Sequence, residues 1–174
     1  MAREQTMIPF GATPATPDRK GTVIYYDDFQ DTSDEQLSVA LNYVREHKFK
    51  KLILYPLHEE TVRRMDSNKR VDRFYKREQR LQDWIQQLPD TYDLGIELWE
   101  EKRKKYTPME AAFRHITTKY AAPYFIYMSP YYSQLFASYP SFEEWITKVR
   151  LIVSEPMSSI PSNLQKYEKR WDTI

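Results

Sequence analysis

Cysteine, glycine and long apolar runs are absent or scarce in this 174-residue chain. The absence of cysteine excludes disulfides, thiolate metal ligands and a cysteine nucleophile, and we expect a cytoplasmic protein. The three glycines, Gly11, Gly21 and Gly95, are few for an enzyme whose backbone must approach a phosphate closely. No apolar run reaches the roughly 20 residues of a membrane span, and residues 1–20 lack the apolar segment of a secretory signal. We therefore expect no membrane partner.

Net charge and familiar catalytic motifs are also missing. Lys and Arg number 26 against 25 Asp and Glu, which gives a net charge of +1. The chain should therefore have no bulk attraction to nucleic acid, and we expect no nucleic-acid partner. Neither G-x-S-x-G nor GxxxxGK[ST] occurs, so the sequence predicts neither a nucleophile elbow nor a P-loop.

Apolar runs alternate with amphipathic segments from residue 22 onward. Strands are predicted at 22–29, 52–57, 93–99, 123–129 and 149–154. Helices are predicted at about 33–47, in the second half of 59–88, at about 107–119, at 131–137, at 141–148, and from Pro161 through Trp171. This alternation predicts an α/β fold, a doubly wound parallel five-stranded Rossmann-like sheet with helices on both faces. Residues 21–174 would form one domain, and residues 1–20 an extended or disordered arm.

Acidic residues crowd the turn after the first predicted strand. Five of them fall within nine positions: Asp27, Asp28, Asp31, Asp34 and Glu35. Thr32 followed by Glu35 predicts a capping box that uses the free N–H groups of the helix start. The carboxylates either cap and solvate this helix or bind Mg²⁺, which prefers oxygen ligands. A second capping box is predicted at Thr107, with Pro108 at the first helical position.

Three further groups of residues are candidates for binding. The basic stretch within 59–88 is either a solvated helix face or a basic lip for an anionic ligand or partner. His47, His58 and His115 show no ligand spacing and are predicted at the surface or at helix ends. Six tyrosines surround the fourth strand: Tyr120, Tyr124, Tyr127, Tyr131, Tyr132 and Tyr139. They form part of the core or, alternatively, a surface for a partner or for homo-oligomer formation.

Several strings, in order along residues 22–170, resemble the nicotinate/nicotinamide mononucleotide adenylyltransferase family of the cytidylyltransferase-like superfamily. The family opening GGTFDPxHxGHL lies over 26–37, where Phe29 and Leu37 match. Downstream similarities are Tyr55–Pro56, Glu78–Leu81, Glu97–Leu98 with Tyr106–Thr107, Tyr124–Ile126 and Ile160–Tyr167. The resemblance implies the same α/β fold.

The same alignment shows which family residues are replaced. The two opening glycines fall on Tyr26 and Asp27, and the histidines fall on Ser33 and Gln36. The GAD string is replaced by Met128, Ser129 and Pro130, and no ISSTxxR segment is found. In the family these histidines and that segment stabilise charge on the phosphates, and such donors are each worth roughly 10²–10³ in rate.

Two functions from different classes follow. The first is a nucleotidyltransferase-like protein that has lost adenylyl transfer, a pseudoenzyme acting as a ligand-binding, regulatory or interaction protein. The second is a divergent Mg²⁺-dependent nucleotidyltransferase that uses the acidic turn and basic residues from 63–80. The predicted ligand, a nucleotide or another small molecule, would contact Tyr26, Asp27, Phe29, Ser33, Gln36, Tyr55, His58, Tyr106, Thr107 and Ser129. Either a cavity survives above Phe29, Tyr55 and Ser129, or Tyr26 and the arm fill it.

Overall fold

The computed structural model describes residues 20–174, and for Lys20 the backbone only. The predicted arm at residues 1–20 lies outside the described residues, apart from Lys20, which begins the first strand. None of the helices within 20–174 is both long enough and apolar enough to cross a membrane.

A parallel sheet of six strands forms the centre of the described chain. The strands are β1 (Lys20–Asp27), β2 (Phe49–Pro56), β3 (Leu94–Ile96), β4 (Tyr124–Met128), β5 (Arg150–Val153) and β6 (Trp171–Thr173). Their order is β3-β2-β1-β4-β5-β6, and every neighbouring pair is parallel. The predicted α/β Rossmann-like class is confirmed.

The predicted count of five strands is wrong, because the last predicted helix breaks early. That helix ends at Lys166, a 3₁₀ turn covers Glu168–Arg170, and the chain then extends as β6. Leu151 of β5 pairs with Trp171 of β6, so the backbone groups of these residues are satisfied by the sheet instead of a helix.

Eight α-helices connect the strands within residues 20–174. They are α1 (Asp34–Glu46), α2 (Glu59–Met65), α3 (Phe74–Gln86), α4 (Trp99–Arg103), α5 (Met109–Lys119), α6 (Pro130–Ser138), α7 (Phe142–Ile146) and α8 (Ser162–Lys166). The apolar faces of α1 and α3 cover one side of the sheet, and those of α5, α6 and α7 cover the other. Helices therefore lie on both faces, as predicted from the alternating pattern.

Three details of the predicted elements are wrong. Ser33, not Thr32, caps α1, because the Thr32 hydroxyl is engaged by Asp27. Thr107 does not cap α5: it is buried, and its hydroxyl accepts a 3.0 Å hydrogen bond from Arg103 Nε. The third strand ends at Ile96, and Trp99 begins the short helix α4 instead of extending the sheet.

Candidate functional site

The carboxyl ends of β1 and β4 meet where the connections of this sheet change direction. From β1 the chain crosses to β2 and β3 on one side, and β4, β5 and β6 follow on the other. In open α/β sheets this crevice is where ligands bind. The turn after β1 and the residue after β4, Ser129, reach it, and they define the candidate site.

Asp27 shapes the turn that follows β1. Its Oδ2 accepts hydrogen bonds from the Phe29 backbone N–H at 2.9 Å and from the Thr32 hydroxyl at 2.6 Å. Phe29 is held at φ 58°, a left-handed conformation that is rare for a bulky side chain. Burial and the neighbouring Asp28 carboxylate raise the pKa of Asp27. The hydrogen bonds to the Asp27 carboxylate therefore stabilise a turn with strained backbone at Phe29.

Asp28 forms the charged centre of the same edge. Lys69 Nζ lies 2.7 Å from its Oδ2, and the Tyr132 hydroxyl donates to the same oxygen at 2.5 Å. Burial raises the pKa of Asp28, but the hydrogen bonds from Lys69 and Tyr132 outweigh it and lower the pKa below its ordinary value. Lys69 also lies 4.6 Å from the centre of the Tyr131 ring. The Lys69 ammonium group thus connects the segment between α2 and α3 to the turn after β1 and to the start of α6.

Arg77 locks three loops together beneath that contact. Its side chain is fully buried, and it donates to the backbone carbonyls of Asp28 at 2.8 Å, Leu57 at 2.6 Å and Asp72 at 2.8 Å. Its guanidinium also lies 3.4 Å from Glu59 Oε1. One side chain therefore fixes the ends of β1 and β2 and the segment before α3.

Aromatic side chains fill the side of the site that faces α5 and α6. The Tyr26 ring stacks on Tyr55 at 5.4 Å and meets Tyr132 edge-on at 5.8 Å, and all three are buried. The Tyr26 hydroxyl is enclosed without a hydrogen-bond partner among residues 20–174. The sequence left open whether a cavity survives here or whether Tyr26 and the N-terminal arm fill it. On this side of the sheet the Tyr26 ring occupies the space. The arm lies outside the described residues.

Glu100 is a buried carboxylate that the sequence did not indicate. It accepts hydrogen bonds from the Tyr55 hydroxyl at 2.7 Å, the His58 N–H at 2.9 Å and the Thr61 hydroxyl at 2.7 Å. Burial raises its pKa to about 7. Thr61 in turn accepts a 3.0 Å hydrogen bond from the Thr107 N–H. This network joins the end of β2 to the starts of α2 and α5.

An open cleft of about 200 Å³ lies on the other face of the same edge, and we call it the tyrosine cleft. Tyr25 and Tyr127 are neighbouring partners on β1 and β4. The remaining lining residues come from the start of α1 and from the chain after β5: Glu35, Gln36, Val39, Ser154 and Glu155. Four of these side chains are polar: the carboxylates of Glu35 and Glu155, the amide of Gln36 and the hydroxyl of Ser154. No lysine, arginine or histidine is found among the described residues that line the cleft.

The start of α1 carries two of the predicted binding residues. The Gln36 N–H donates to Ser33 Oγ at 3.1 Å, and the Ser33 N–H donates to Gln36 Oε1 at 2.9 Å. Ser129 similarly caps α6, since its Oγ accepts from the Tyr132 N–H at 3.4 Å. The side chains of Ser33, Gln36 and Ser129 therefore already accept hydrogen bonds from backbone N–H groups at the starts of their helices.

The predicted binding residues separate into groups. Tyr26 and Tyr55 lie together in the aromatic core, and His58 joins them through Glu100. Asp27 and Phe29 share the turn after β1. Tyr106 lies apart, beneath Arg64 at 4.7 Å, and lines a separate depression of about 180 Å³. Within residues 20–174 the predicted binding residues therefore fall into separate groups of contacts.

The histidines make no metal site within residues 20–174, where no group of three or more His, Cys, Asp or Glu could hold an ion. His47 and His58 lie at helix ends, as predicted. His115 lies within α5, not at its end, and its partly exposed ring stacks on Trp99 at 4.1 Å. Asp27 Oδ2 and both carboxylate oxygens of Asp28 are engaged by protein donors, so these three oxygens do not fit Mg²⁺ as they stand.

Sequence reasoning missed Arg77, Lys69 and Glu100. Arg77 had a detectable signal, because it falls at helical spacing between the buried residues Phe74 and Leu81. The six tyrosines around β4 contribute mainly to packing, since Tyr131 is the one exposed member of that set, at 37%. No family model matches the chain, and no curated protein matches it either.

Proposed function

We propose that this protein is a nucleotidyltransferase-like protein that has lost adenylyl transfer and acts as a ligand-binding or regulatory protein. The observation that carries the proposal is the closed start of α1. Ser33 and Gln36 stand where the resemblance places the family's histidines, and they bind each other's N–H groups. The free donors that would hold a phosphate at a helix N-terminus are thereby reduced.

The charges around this helix start also oppose a nucleotide triphosphate. Asp28 has a lowered pKa and is ionised at neutral pH, and Asp34 and Glu35 lie in the first turn of α1. The repulsion between like charges is inversely proportional to their separation and to the local dielectric constant, so it is strongest for a phosphate held close to these carboxylates. A triphosphate would approach carboxylates where transfer chemistry needs cations and N–H donors.

The shape of the site supports binding without turnover. On one face Tyr26, Tyr55 and Tyr132 fill the volume beside β1 and β4. On the other face the tyrosine cleft remains open, with about 200 Å³ of space at the crevice where ligands bind in such folds. The tyrosine cleft therefore offers a small ligand access to this edge.

The test is an assay with ATP, nicotinate mononucleotide and Mg²⁺ that follows pyrophosphate. We expect no release above the protein-free blank. Equilibrium dialysis with ATP accompanies it, and because the carboxylates at this helix start oppose a triphosphate, we expect little ATP to be retained. Turnover that Asp27→Ala abolishes and exposed Glu168→Gln preserves would overturn it.

The competing function is a divergent nucleotidyltransferase that still transfers. One observation favours it: Arg63, Lys69 and Arg70 line a depression of about 100 Å³ at the same edge of the sheet. Such cations can contact phosphate oxygens. Under this alternative the pyrophosphate assay is positive, and Arg70→Met lowers the rate.

A further inference from the structure

Two tyrosine hydroxyls in the tyrosine cleft have no hydrogen-bond partner among the described residues. Tyr25 and Tyr127 are 5% and 2% exposed, and their ring centres are 4.6 Å apart. Within residues 20–174 neither hydroxyl makes a hydrogen bond, whereas those of Tyr55, Tyr120, Tyr124 and Tyr132 all donate. Polar groups of nearly buried side chains are generally hydrogen-bonded, so these hydroxyls are available to pair with whatever occupies the cleft.

These hydroxyls are accessible from the cleft. The Tyr26 hydroxyl is enclosed and unpartnered, but those of Tyr25 and Tyr127 are not among the enclosed atoms. Both residues line the tyrosine cleft, so the exposed remainder of each side chain borders its open space. Two nearly buried tyrosines thus present a pair of donor–acceptor groups to whatever occupies the cleft.

The electrostatic environment of the cleft is negative. Glu155 and Glu35 are exposed and line it, and within residues 20–174 no cationic side chain lines it with them. Burial raises the pKa of Tyr25 and of Tyr127 most, and the Glu155 carboxylate raises both further, which places that charge near both hydroxyls. Asp27 and Asp28 add to the same field at Tyr25. A cation is attracted here and an anion is repelled.

The size of the cleft limits the ligand. Its volume of about 200 Å³ is below the roughly 300–1,000 Å³ of pockets that hold drug-sized molecules. Val39, half exposed on α1, adds an apolar wall. A short alkyl chain that ends in a hydrogen-bond donor fits this combination better than a nucleotide.

We propose that the tyrosine cleft binds a small organic ammonium ion. The ammonium N–H groups donate to the hydroxyl oxygens of Tyr25 and Tyr127 and pair with Glu155, and the alkyl chain lies against Val39. This inference rests on the proposed function in placing the ligand at the carboxyl edge of the sheet, and it adds the charge and size of that ligand.

The test uses three probes matched in size: n-butylammonium, n-butanol and n-butyrate. Each is titrated into the full chain while the Val39 methyl and Ser154 amide resonances are followed by NMR. We expect saturable shifts with n-butylammonium, weaker ones with n-butanol and none with n-butyrate. Equal or stronger binding of n-butyrate, or ATP shifting the same resonances, would overturn the inference.

Variants separate the cleft from nonspecific charge effects. The double change Glu35→Gln and Glu155→Gln should weaken n-butylammonium binding about tenfold, since two attractive carboxylates are lost. Tyr127→Phe should weaken n-butylammonium binding several-fold without loss of stability, because no side chain or backbone group in the described part of the chain bonds to that hydroxyl. Exposed Glu168→Gln is the matched control and should change nothing. Binding that is unaffected by the double change contradicts the inference.

The two proposals fail in different ways. Pyrophosphate release that depends on Asp27 overturns the proposed function and does not alter the outcome of the ammonium titration. Absence of both pyrophosphate release and n-butylammonium shifts overturns the inference about the cleft alone.

Discussion

Lys69 Nζ lies 2.7 Å from Asp28 Oδ2, and this contact joins the segment before α3 to the end of β1. The Asp28 side chain is 5% exposed, whereas that of Lys69 is 29% exposed. The pair therefore lies where solvent screens the carboxylate poorly. Lys69 supplies the one full positive charge within hydrogen-bond distance of this carboxylate among the described residues.

Replacing Lys69 by methionine leaves the Asp28 charge in place without its counter-ion. Because Tyr132 and the Gln30 N–H still donate to Asp28, we expect a loss of about 1–3 kcal/mol in the free energy of unfolding. Urea unfolding at pH 7 measures it. Lys166→Met, which breaks the exposed 2.9 Å pair with Glu143, is the control and should cost clearly less than Lys69→Met, because solvent screens an exposed pair. Equal effects of the two changes would refute this role for Lys69.

Glu100 gives the protein a stability that depends on pH. Its folded-state pKa of about 7 is above its ordinary 4.5, so the folded protein binds this proton more tightly than the unfolded chain. Its contribution is full below about 4.5 and is lost as the pH rises through about 7. The raised pKa of Asp27 acts in the same direction. We expect the free energy of unfolding to fall between pH 5 and 7.

Glu100→Gln tests this origin of the pH dependence. The amide oxygen can still accept from the His58 N–H and the Thr61 hydroxyl, while the titrating proton is removed. The fall in the free energy of unfolding between pH 5 and 7 should become smaller than in the wild type. Urea unfolding at several pH values measures it. Glu168→Gln should keep the wild-type slope. A Glu100→Gln protein with an unchanged slope would show that another group titrates.

Arg77 should be among the residues least tolerant of substitution. Arg77→Met leaves the carbonyls of Asp28, Leu57 and Asp72 without their donor, which we expect to cost about 3–5 kcal/mol. Arg80→Met is the matched control on the same helix, because Arg80 is about half exposed, and it should cost about 1 kcal/mol or less. Thermal unfolding compares them, and similar midpoints for the two variants would contradict the assignment.

Gly21 and Gly95 provide a matched pair within the sheet. A Cβ at Gly21 would overlap the backbone oxygen of Pro123, which cannot move without separating β1 from β4. We expect Gly21→Ala to cost at least about 3 kcal/mol. At Gly95 the added atom lies 3.2 Å from the flexible Ile53 Cδ1, so Gly95→Ala should change stability by about 1 kcal/mol or less. Calorimetry measures the unfolding temperatures of both variants. Equal unfolding temperatures would contradict the expected clash at Gly21.

The fold was predictable because its central strands are continuous apolar runs separated by amphipathic helices. β6 was not, because it has three residues, and Trp171 falls at helical spacing from Leu164 and Tyr167. The caps of α1 and α5 were misplaced by one residue or more, since Thr32 and Thr107 bind other side chains. Pairwise tertiary contacts of this kind leave no periodic trace in a sequence.

The sequence indicated where in the fold the candidate site lies, but not all of the residues that form it. Asp27 and Phe29 were singled out from the turn after β1, and the structure places them at the crevice. Lys69 and Glu100 reach that region from sequence positions more than 40 residues away from their partners Asp28 and Tyr55. Only the folded arrangement of the strands brings them together.

Tyr25 and Tyr26 are neighbours on β1, and adjacent side chains of a strand point to opposite faces. One hydroxyl therefore opens onto the tyrosine cleft while the other is sealed in the aromatic core. A one-residue slip of β1 against its neighbours would exchange the two and place the wrong ring on each side. The alignment of β1 with β2 and β4 thus sets binding and stability together, and loosening it would lose both at once.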